Sequence, residues 1–324
     1  MVNILSCEIN CAKSLTKRAL EDGTEIPYFS LAEKIEQNQD EIYEAIKKVV
    51  LKVLPEEREK TALLVGTSLV DWNLVDAINA CAYEQKELYS SKKRSIDSYA
   101  KDLSCEFGLS SFTMSINTAC TSSANALLEA KNLINAGVVE YAIVIGVEIF
   151  SPVMSSGFYS MDLLSSSKPQ PFGKNRDGLV LGEGVGAILL GKDKSPWELV
   201  GGFSNCNSQT ITSVSSSGDE CVEVMHNALK NCAKLAEDIT TLKAHATGSQ
   251  ANDEAEMNAI KKVFKKEPNI ITLKQHIGHT IGASGVLEIA YMLQNVKFKN
   301  DENIMCNYFG FGGNNISLIL RKHR

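Results

Sequence analysis

The sequence holds no run of 18 uninterrupted apolar residues. Its first residues, MVNILSCEINCAKS, contain a short apolar stretch without the basic n-region and following h-region of a leader. Neither a transmembrane helix nor a signal peptide is expected, which points to a soluble, cytoplasmic protein without membrane insertion. The nine cysteines are scattered and include no CxxC pair. In a chain of 324 residues that argues for reduced thiols rather than a disulfide framework. Only five histidines occur, with no HxxxH or HExxH spacing, so no metal site is expected. Nor is there an excess of positive charge: the net charge of -6 offers no general attraction to nucleic acid or anionic lipid. What is present is ordinary for a chain with a large core, 44% hydrophobic and 22% charged residues. The length exceeds the usual single domain, so two domains or one duplicated unit is the default.

Buried-strand runs alternate with helical patterns along the chain. Residues 2 to 9 read as a first strand. Helix is expected over 29 to 54, where Leu31, Ile35, Ile42, Ile46 and Val50 recur at helical spacing and Pro55 stops the run. ALLVG at 62 to 66 and YAIVIG at 141 to 146 are continuous apolar runs, the mark of strands covered on both faces. Helices are expected near 72 to 85 and from Asp97 to Phe107, with the polar YSSKKRS (89 to 95) between them as a surface loop. From 151 to 184 periodicity gives way to Ser, Gly and Pro, a loop long enough to suggest function. Strands then follow at 185 to 190, 197 to 203, 242 to 245 and 270 to 273. Helices are expected at 219 to 235, 253 to 265 and 279 to 295. The alternation implies an α/β protein with mainly parallel sheets.

The two halves also resemble each other. TSSANALLEA (121 to 130) parallels IGASGVLEIA (281 to 290), each opening a helix after a polar turn. LVLGEGVGAILL (179 to 190) parallels FGFGGNNISLIL (309 to 320), each a glycine cluster leading into a strand. The same order in both halves favours a duplicated unit with a site where the copies meet.

The candidate chemistry centres on INTACTSSANALLEAK (116 to 131). Cys120 follows a β-friendly run and precedes a helix with Ser122 and Ser123 as candidate N-caps, a position where the helix dipole favours a nucleophilic thiolate. A buried structural cysteine has the same local signature. His245, in KAHATGSQANDEAE, and His279, in TLKQHIGHTIGASG, lie among small and hydroxyl residues at strand ends. There they read as hydrogen-bond donors or acid/base groups.

Five motifs together resemble the elongating β-ketoacyl synthases of the thiolase superfamily. They are TACTSS around Cys120, PFGKNRDGLVLGEGVGAILL at 171 to 190, HATGSQANDEAE at 245 to 256, TLKQHIGHTIGASG at 272 to 285 and NYFGFGGNNISLIL at 307 to 320. They stand in the family's order and cover most of the chain from about Ser104, with VGTS (65 to 68) as a looser match. The resemblance implies a duplicated fold with a five-layered αβαβα core. Residues 1–190 would carry the nucleophile and 191–324 the His/Lys cluster. It also implies a ping-pong reaction in which Cys120 accepts an acyl chain from acyl carrier protein. A malonyl thioester then loses CO₂ and its carbanion attacks the acyl-cysteine. Substrates would ride on phosphopantetheine with no cofactor of the enzyme's own, in fatty-acid or polyketide-type synthesis.

Residue by residue, the resemblance assigns an oxyanion hole to the backbone N–H groups of Cys120 and Phe311, with Phe311 also the gate. His245 and His279 donate to the malonyl thioester. Lys274 pairs with Glu256 to set the charge of the cluster, a pair that would otherwise read as solvated surface. Thr247, Ser249 and Phe309 bind substrate. A homodimer is the implied assembly, or a heterodimer with a paralogue. The alternative activity is a non-elongating relative, either a malonyl decarboxylase or a chain-length partner subunit. A thiolase would need a second cysteine within the C-terminal glycine cluster, and Cys306 lies before it. Departures from the family pattern are Ala246 in place of Gly, Asn314 in FGFGGNN, and a short chain. The usual carrier-docking helix reads EKIEQNQDE, with Lys34 its only cation. The remaining basic clusters are Lys92, Lys93 and Arg94; Lys261, Lys262, Lys265 and Lys266; and Arg321 with Lys322.

Overall fold

In a computed structural model of the chain, which describes residues 1–12, 14–20, 22–35, 39–68, 96–206 and 215–324, a ten-stranded sheet repeats one five-strand unit. The first unit contains β1 (Asn3–Cys11), β4 (Thr61–Gly66), β5 (Thr113–Ile116), β6 (Tyr141–Glu148) and β8 (Gly184–Gly191). The second contains β9 (Trp197–Cys206), β10 (Ile239–Lys243), β11 (Asn269–Ile271), β12 (Asn303–Phe309) and β13 (Asn314–Lys322). The spatial order is β11-β10-β12-β13-β9-β1-β8-β6-β4-β5. Counted outward from the centre, both units place their strands in the same sequence: first, fifth, fourth, second, third. In each, the fifth strand (β8 or β13) is antiparallel to both neighbours, and the other four strands run one way. The pairs Asn3↔Glu198 and Ile4↔Trp197 join the units.

Side-chain alternation explains the layers. Along β4, Ala62 and Leu64 enter one core while Leu63 and Val65 enter another; β6 divides Ala142 and Val144 from Ile143, Ile145 and Val147 in the same way. A strand whose two faces are both apolar must be covered twice. The outer cover of the first unit is α1 (Gln39–Leu51) with α2 (Ile96–Phe107). That of the second is α5 (Asp219–Asn231) with α6 (Gln250–Val263). Between the units lie α3 (Ser122–Asn135) and α8 (Ser284–Asn295), whose Ala126, Leu127, Ala130, Val286, Ile289 and Ala290 share one core with strands of both. The result is the five-layered αβαβα arrangement.

The two central helices touch backbone to backbone. A Cβ at Gly285 would sit 2.2 Å from the Ala124 backbone nitrogen, and the Val286 N–H donates to Ser123 Oγ at 3.1 Å. Gly285→Ala should therefore force the helices apart and cost about 3 kcal/mol, the upper end for overpacking. Urea unfolding checks this, and an unchanged midpoint would show that the contact yields freely.

Several boundaries differ from expectation. The helix expected over 29 to 54 is α1 alone. Its expected start is strand β3 (Glu25–Phe29), which pairs with β2 (Leu15–Ala19) and β7 (Leu181–Gly182) in a three-stranded sheet. Leu31, helical by spacing, gives its N–H to the Glu183 carboxylate at 2.9 Å, which also receives Arg18 at 2.8 Å and the Phe150 N–H at 2.9 Å. A buried carboxylate thus ties down the chain where the periodicity suggested a first turn. The expected loop 151 to 184 contains α4 (Pro152–Ser160), capped by Ser151 Oγ accepting from the Met154 N–H, with proline in the first turn. The helix expected at 279 begins at Ser284, and His279 precedes it. The helical region 72 to 85, the loop 89 to 95 and its Lys92, Lys93 and Arg94 fall outside the described residues.

Candidate active site

Equivalent strand ends in the two halves bring the chemistry together. The third strand of the first unit, β5, leads through an elbow into α3. The third strand of the second, β11, leads through α7 (Lys274–Ile277) and a second elbow into α8. Cys120 occupies the first elbow and His279 the second. His245 lies two residues beyond the end of β10. In α/β sheets such strand ends are where ligands bind. β7 locks the halves: the His279 N–H donates to the Val180 carbonyl at 2.7 Å, and the Gly182 N–H donates to the His279 carbonyl at 3.0 Å.

Left-handed backbone marks all three turns. Ala119 precedes Cys120 at φ 52, Ala246 follows His245 at φ 43, and Ile281 lies two residues beyond His279 at φ 40. None is glycine, so each turn is held against a local preference, a pattern concentrated at functional sites. Ala246, the departure from the family pattern at this turn, takes a conformation that glycine adopts freely.

Cys120 is 4% exposed. Burial pushes its thiol up to about 11, against the pull of the Lys274 charge and of the backbone N–H groups of Phe311 and Cys120, which hydrogen-bond the sulfur. The expected thiolate is thus corrected to a thiol at rest. The helix cap is also different: Thr121 occupies the N-cap position, and its hydroxyl donates to the Thr118 carbonyl at 2.7 Å instead of capping a helix N–H. Ser122 Oγ instead donates to the Ala119 carbonyl at 2.6 Å and accepts from the Thr118 N–H at 2.9 Å, bracing the elbow. His279 Nε2 lies 3.1 Å from the sulfur. On the other side the Phe311–Gly313 turn closes in, with the Gly310 N–H donating to the Asn314 carbonyl at 2.7 Å and Asn314 Nδ2 donating to the Phe311 carbonyl at 3.2 Å. The departure at Asn314 therefore braces the turn that carries Phe311.

The two histidine rings meet edge to face, centroids 5.4 Å apart. Both are buried, and desolvation followed by the Lys274 charge holds each well below its ordinary pKa, so both are neutral near pH 7. Their tautomers are governed differently. Lys274 Nζ lies 3.5 Å from His245 Nδ1, and an ammonium can only donate. His245 therefore carries its proton on Nε2. His279 Nδ1 faces Ser284 Oγ at 3.4 Å, and a hydroxyl can donate or accept. His279 is free to present Nε2 as acceptor or as donor.

The carboxylate assignments require correction. Lys274 does not pair with Glu256. Its Nζ donates to Glu288 Oε1 at 2.5 Å, because α8 presents Glu288 directly to it. Glu256 accepts the backbone N–H groups of His245 and Ala246, each at 2.8 Å, and so holds the histidine turn. Burial raises its carboxyl to about 7. A solvated Lys274–Glu256 surface pair is excluded as well, since both are buried. Glu288 was missed, although a lone acid within the apolar SGVLEIAYML was a readable signal. Also missed was Glu148, buried at the end of β6. It accepts from Ser68 Oγ at 2.7 Å and the Gly282 N–H at 3.0 Å, and burial raises it to about 7.

The remaining candidates lie around the histidine and cysteine turns. Phe309 packs on the His245 ring at 5.8 Å, and Phe311 stacks on Phe158 at 5.4 Å. Thr247 Oγ1 donates to Ser249 Oγ at 3.2 Å beyond the histidine turn. Cys120 belongs to a cluster with Phe158, Leu179, Leu181 and Ile281, with Met154, Leu163 and Phe311 packed against it. A nucleophile backed by apolar side chains and faced by neutral hydrogen-bond donors is suited to acyl transfer. No group of three or more His, Cys, Asp or Glu capable of holding a metal occurs among the described residues. No helix among them is long and apolar enough to cross a membrane.

A duplicated five-layer fold with a cysteine at one central-helix elbow and a histidine at the other defines a thiolase-like protein. Comparison with known proteins narrows the class. Residues 38–195 match the family model described as "Beta-ketoacyl synthase, N-terminal domain", and residues 198–300 match "Beta-ketoacyl synthase, C-terminal domain". The chain belongs to the β-ketoacyl synthase family. It is 34% identical over 203 residues to the chloroplastic 3-oxoacyl-[acyl-carrier-protein] synthase I of Arabidopsis thaliana, covering 57% of this chain and 43% of that protein. It is 30% identical over 277 residues to a 3-oxoacyl-[acyl-carrier-protein] synthase 1 of Buchnera aphidicola, covering 72% and 67%. The matched stretch thus spans between about two fifths and two thirds of these relatives' lengths. A ketosynthase from Xenorhabdus doucetiae, solved in complex with its chain length factor, shares the fold with a TM-score of 0.81 at 20% identity, over 99% of this chain and 98% of that one.

Proposed function

We propose that the protein is a 3-oxoacyl-[acyl-carrier-protein] synthase, an acyltransferase that joins an acyl group on Cys120 to a malonyl thioester by decarboxylative Claisen condensation. The observation that carries this reading is the contact of His279 Nε2 with the buried Cys120 sulfur at 3.1 Å, with the neutral His245 ring beside it.

In the first half-reaction the Cys120 thiol gives its proton to His279 Nε2 as the sulfur attacks the acyl thioester. The oxyanion develops where the N–H groups of Phe311 and Cys120 point. The tetrahedral adduct collapses by breaking the bond to the carrier's thiol, which leaves with that proton. In the second half-reaction the bond between the malonyl methylene and its carboxylate breaks. CO₂ departs and the electron pair becomes the thioester enolate, whose oxygen accepts from His245 and His279 Nε2–H. The enolate carbon attacks the acyl-cysteine carbonyl, the Phe311/Cys120 hole again holds the oxyanion, and the cysteine sulfur leaves as thiolate and takes up one proton from solvent. Lys274 holds His245 as the Nε2–H tautomer, and Glu256 holds its backbone. Thr247, Ser249 and Phe309 receive the pantetheine arm, and Phe311 gates the cysteine. The chemistry calls for no metal and no cofactor of the enzyme's own.

The halves 1–190 and 191–324 each supply one elbow of this site. Acyl carrier protein is the partner in this reading, homodimer the assembly and cytoplasm the location. The retained Cys120, His245, His279 and Lys274 favour an elongating enzyme over a chain-length subunit. Incubation with an acyl-carrier thioester should add one acyl mass to the peptide containing Cys120. Malonyl carrier protein should then release it as a 3-oxoacyl product. Wild-type protein left unacylated would remove this reading.

A further inference from the structure

We propose that Lys243 is a positioning residue that shares Glu288 with Lys274 and leaves one positive charge in excess beside the histidine pair. The proposal rests on the reading of His245 and His279 as neutral donors, and its test measures their charge rather than turnover.

Lys243 ends β10, two residues before His245, and is fully buried. Its ammonium has three electron-rich neighbours: Glu288 Oε2 at 2.5 Å, the Asn307 carbonyl at 2.8 Å and the Tyr308 ring, whose centroid lies 3.5 Å away. Three partners for three N–H bonds make a complete shell for a cation. Glu288 is equally committed, one oxygen to Lys274 and the other to Lys243. Burial pulls the Lys243 ammonium below its ordinary pKa and Glu288 pushes it back up; with both lysines charged, two ammonium groups against one carboxylate leave a surplus of one positive charge. An isolated Lys274–Glu288 pair would be neutral overall.

The surplus acts where negative charge arises. During decarboxylation an enolate forms beside His245 and His279, and a fixed cation in a site closed to water stabilises it without reorganising. The same charge opposes protonation of either ring, and Lys243 contributes to the depression of both. The other groups facing the histidines are Lys274 from α7, Glu288 from α8, Glu256 from α6 and Cys120 from its elbow, with Glu148 of β6 acting on Cys120. Glu256 has both oxygens bound to backbone N–H groups, and burial raises its carboxyl to about 7, so below that pH it adds no negative charge to offset the surplus. Glu288 is already bridged. Lys243 is also joined to the histidine turn through its own neighbour. It donates to the Asn307 carbonyl, and Asn307 Nδ2 in turn donates to Glu256 Oε1 at 3.5 Å.

The test is an NMR titration of ¹⁵N-histidine-labelled full chain, wild type against Lys243→Gln. Glutamine keeps an N–H donor for Glu288 and removes the charge. With the cation gone each ring protonates more readily, so the His245 and His279 midpoints should rise by about one pH unit. The acid limb of malonyl-thioester decarboxylation should rise with them, and its turnover should fall about tenfold. Acylation of Cys120 at pH 8 reports separately on the condensing reading and on the integrity of the variant. Unmoved histidine midpoints in Lys243→Gln overturn the proposal. If that variant does not fold, Lys243→Met is titrated in its place: midpoints raised by about one unit support the proposal, and midpoints unmoved from wild type reject it.

Discussion

Cys120→Ala should abolish condensation, a loss of more than about 10³-fold, because the alanine leaves no atom to accept the acyl group. The same variant should resist a thiol-directed covalent inhibitor, with no label on the peptide spanning the elbow. Cys120→Gln should behave differently. Its amide resembles an acylated cysteine in shape and presents a carbonyl oxygen near the Phe311 and Cys120 N–H groups. His279 Nε2 then loses its sulfur partner and is available to the malonyl thioester. The expected result is malonyl decarboxylation at or above the wild-type rate with no condensation, read as CO₂ release against 3-oxoacyl product. If the alanine variant condensed at the wild-type rate, Cys120 would be no more than a buried cysteine at a helix start. The contact with His279 would then have no chemical meaning.

Much of this candidate site was legible in the sequence because the duplicated fold places chemistry-bearing side chains at strand ends. There the pattern changes from apolar runs to small and hydroxyl residues, and Cys120, His245 and His279 all lie at such changes. The fully buried strands β4 and β6 were equally readable, because both of their faces are apolar. The hairpin β2–β3 was hidden because its exposed residues alternate weakly and its anchor, Glu183, lies more than 150 positions away. Helix α4 was concealed by Ser and Gly, although Ser151 followed by Pro152 was the cue to its start.

The charge arrangement was the least readable part, and magnitudes explain why. A helix N-terminus contributes about 0.3–1 kcal/mol to an anion, less than one pKa unit. Enclosing the Cys120 sulfur raises its pKa from 9.0 to about 11, so desolvation outweighs the dipole. A one-dimensional motif shows the helix following a cysteine but not the side chains that close over it. The partner of Lys274 was misassigned for a related reason. Glu256 and Glu288 are both acids on helices downstream of a histidine, and only the packing of α8 against β10 and α7 decides which carboxylate meets the lysine. Lys243 lies inside the strand expected at 242 to 245, and nothing in its neighbours marks it.

The resting thiol sets the sharpest division between the two histidines. If the dipole alone made a thiolate, both His245→Ala and His279→Ala would leave acylation of Cys120 largely intact. With the thiol held near 11, the proton has to be taken as the sulfur attacks, and His279 Nε2 is the base in contact with it. His279→Ala should therefore slow both half-reactions, acylation by about 10²-fold and decarboxylation by about 10²–10³-fold. His245→Ala should slow decarboxylation by a similar factor and leave acylation within a few-fold of wild type, since its Nδ1 is tied to Lys274 and its ring does not reach the sulfur. Intact-protein mass spectrometry at early times measures acylation, and CO₂ release from malonyl carrier protein measures the other step. Raising the pH should rescue acylation in His279→Ala, because solvent then removes the thiol proton as the pH nears 11. Decarboxylation in the same variant should gain nothing, having lost a donor rather than a base. Equal acylation rates in the two alanine variants at neutral pH would take the proton-acceptor role away from His279.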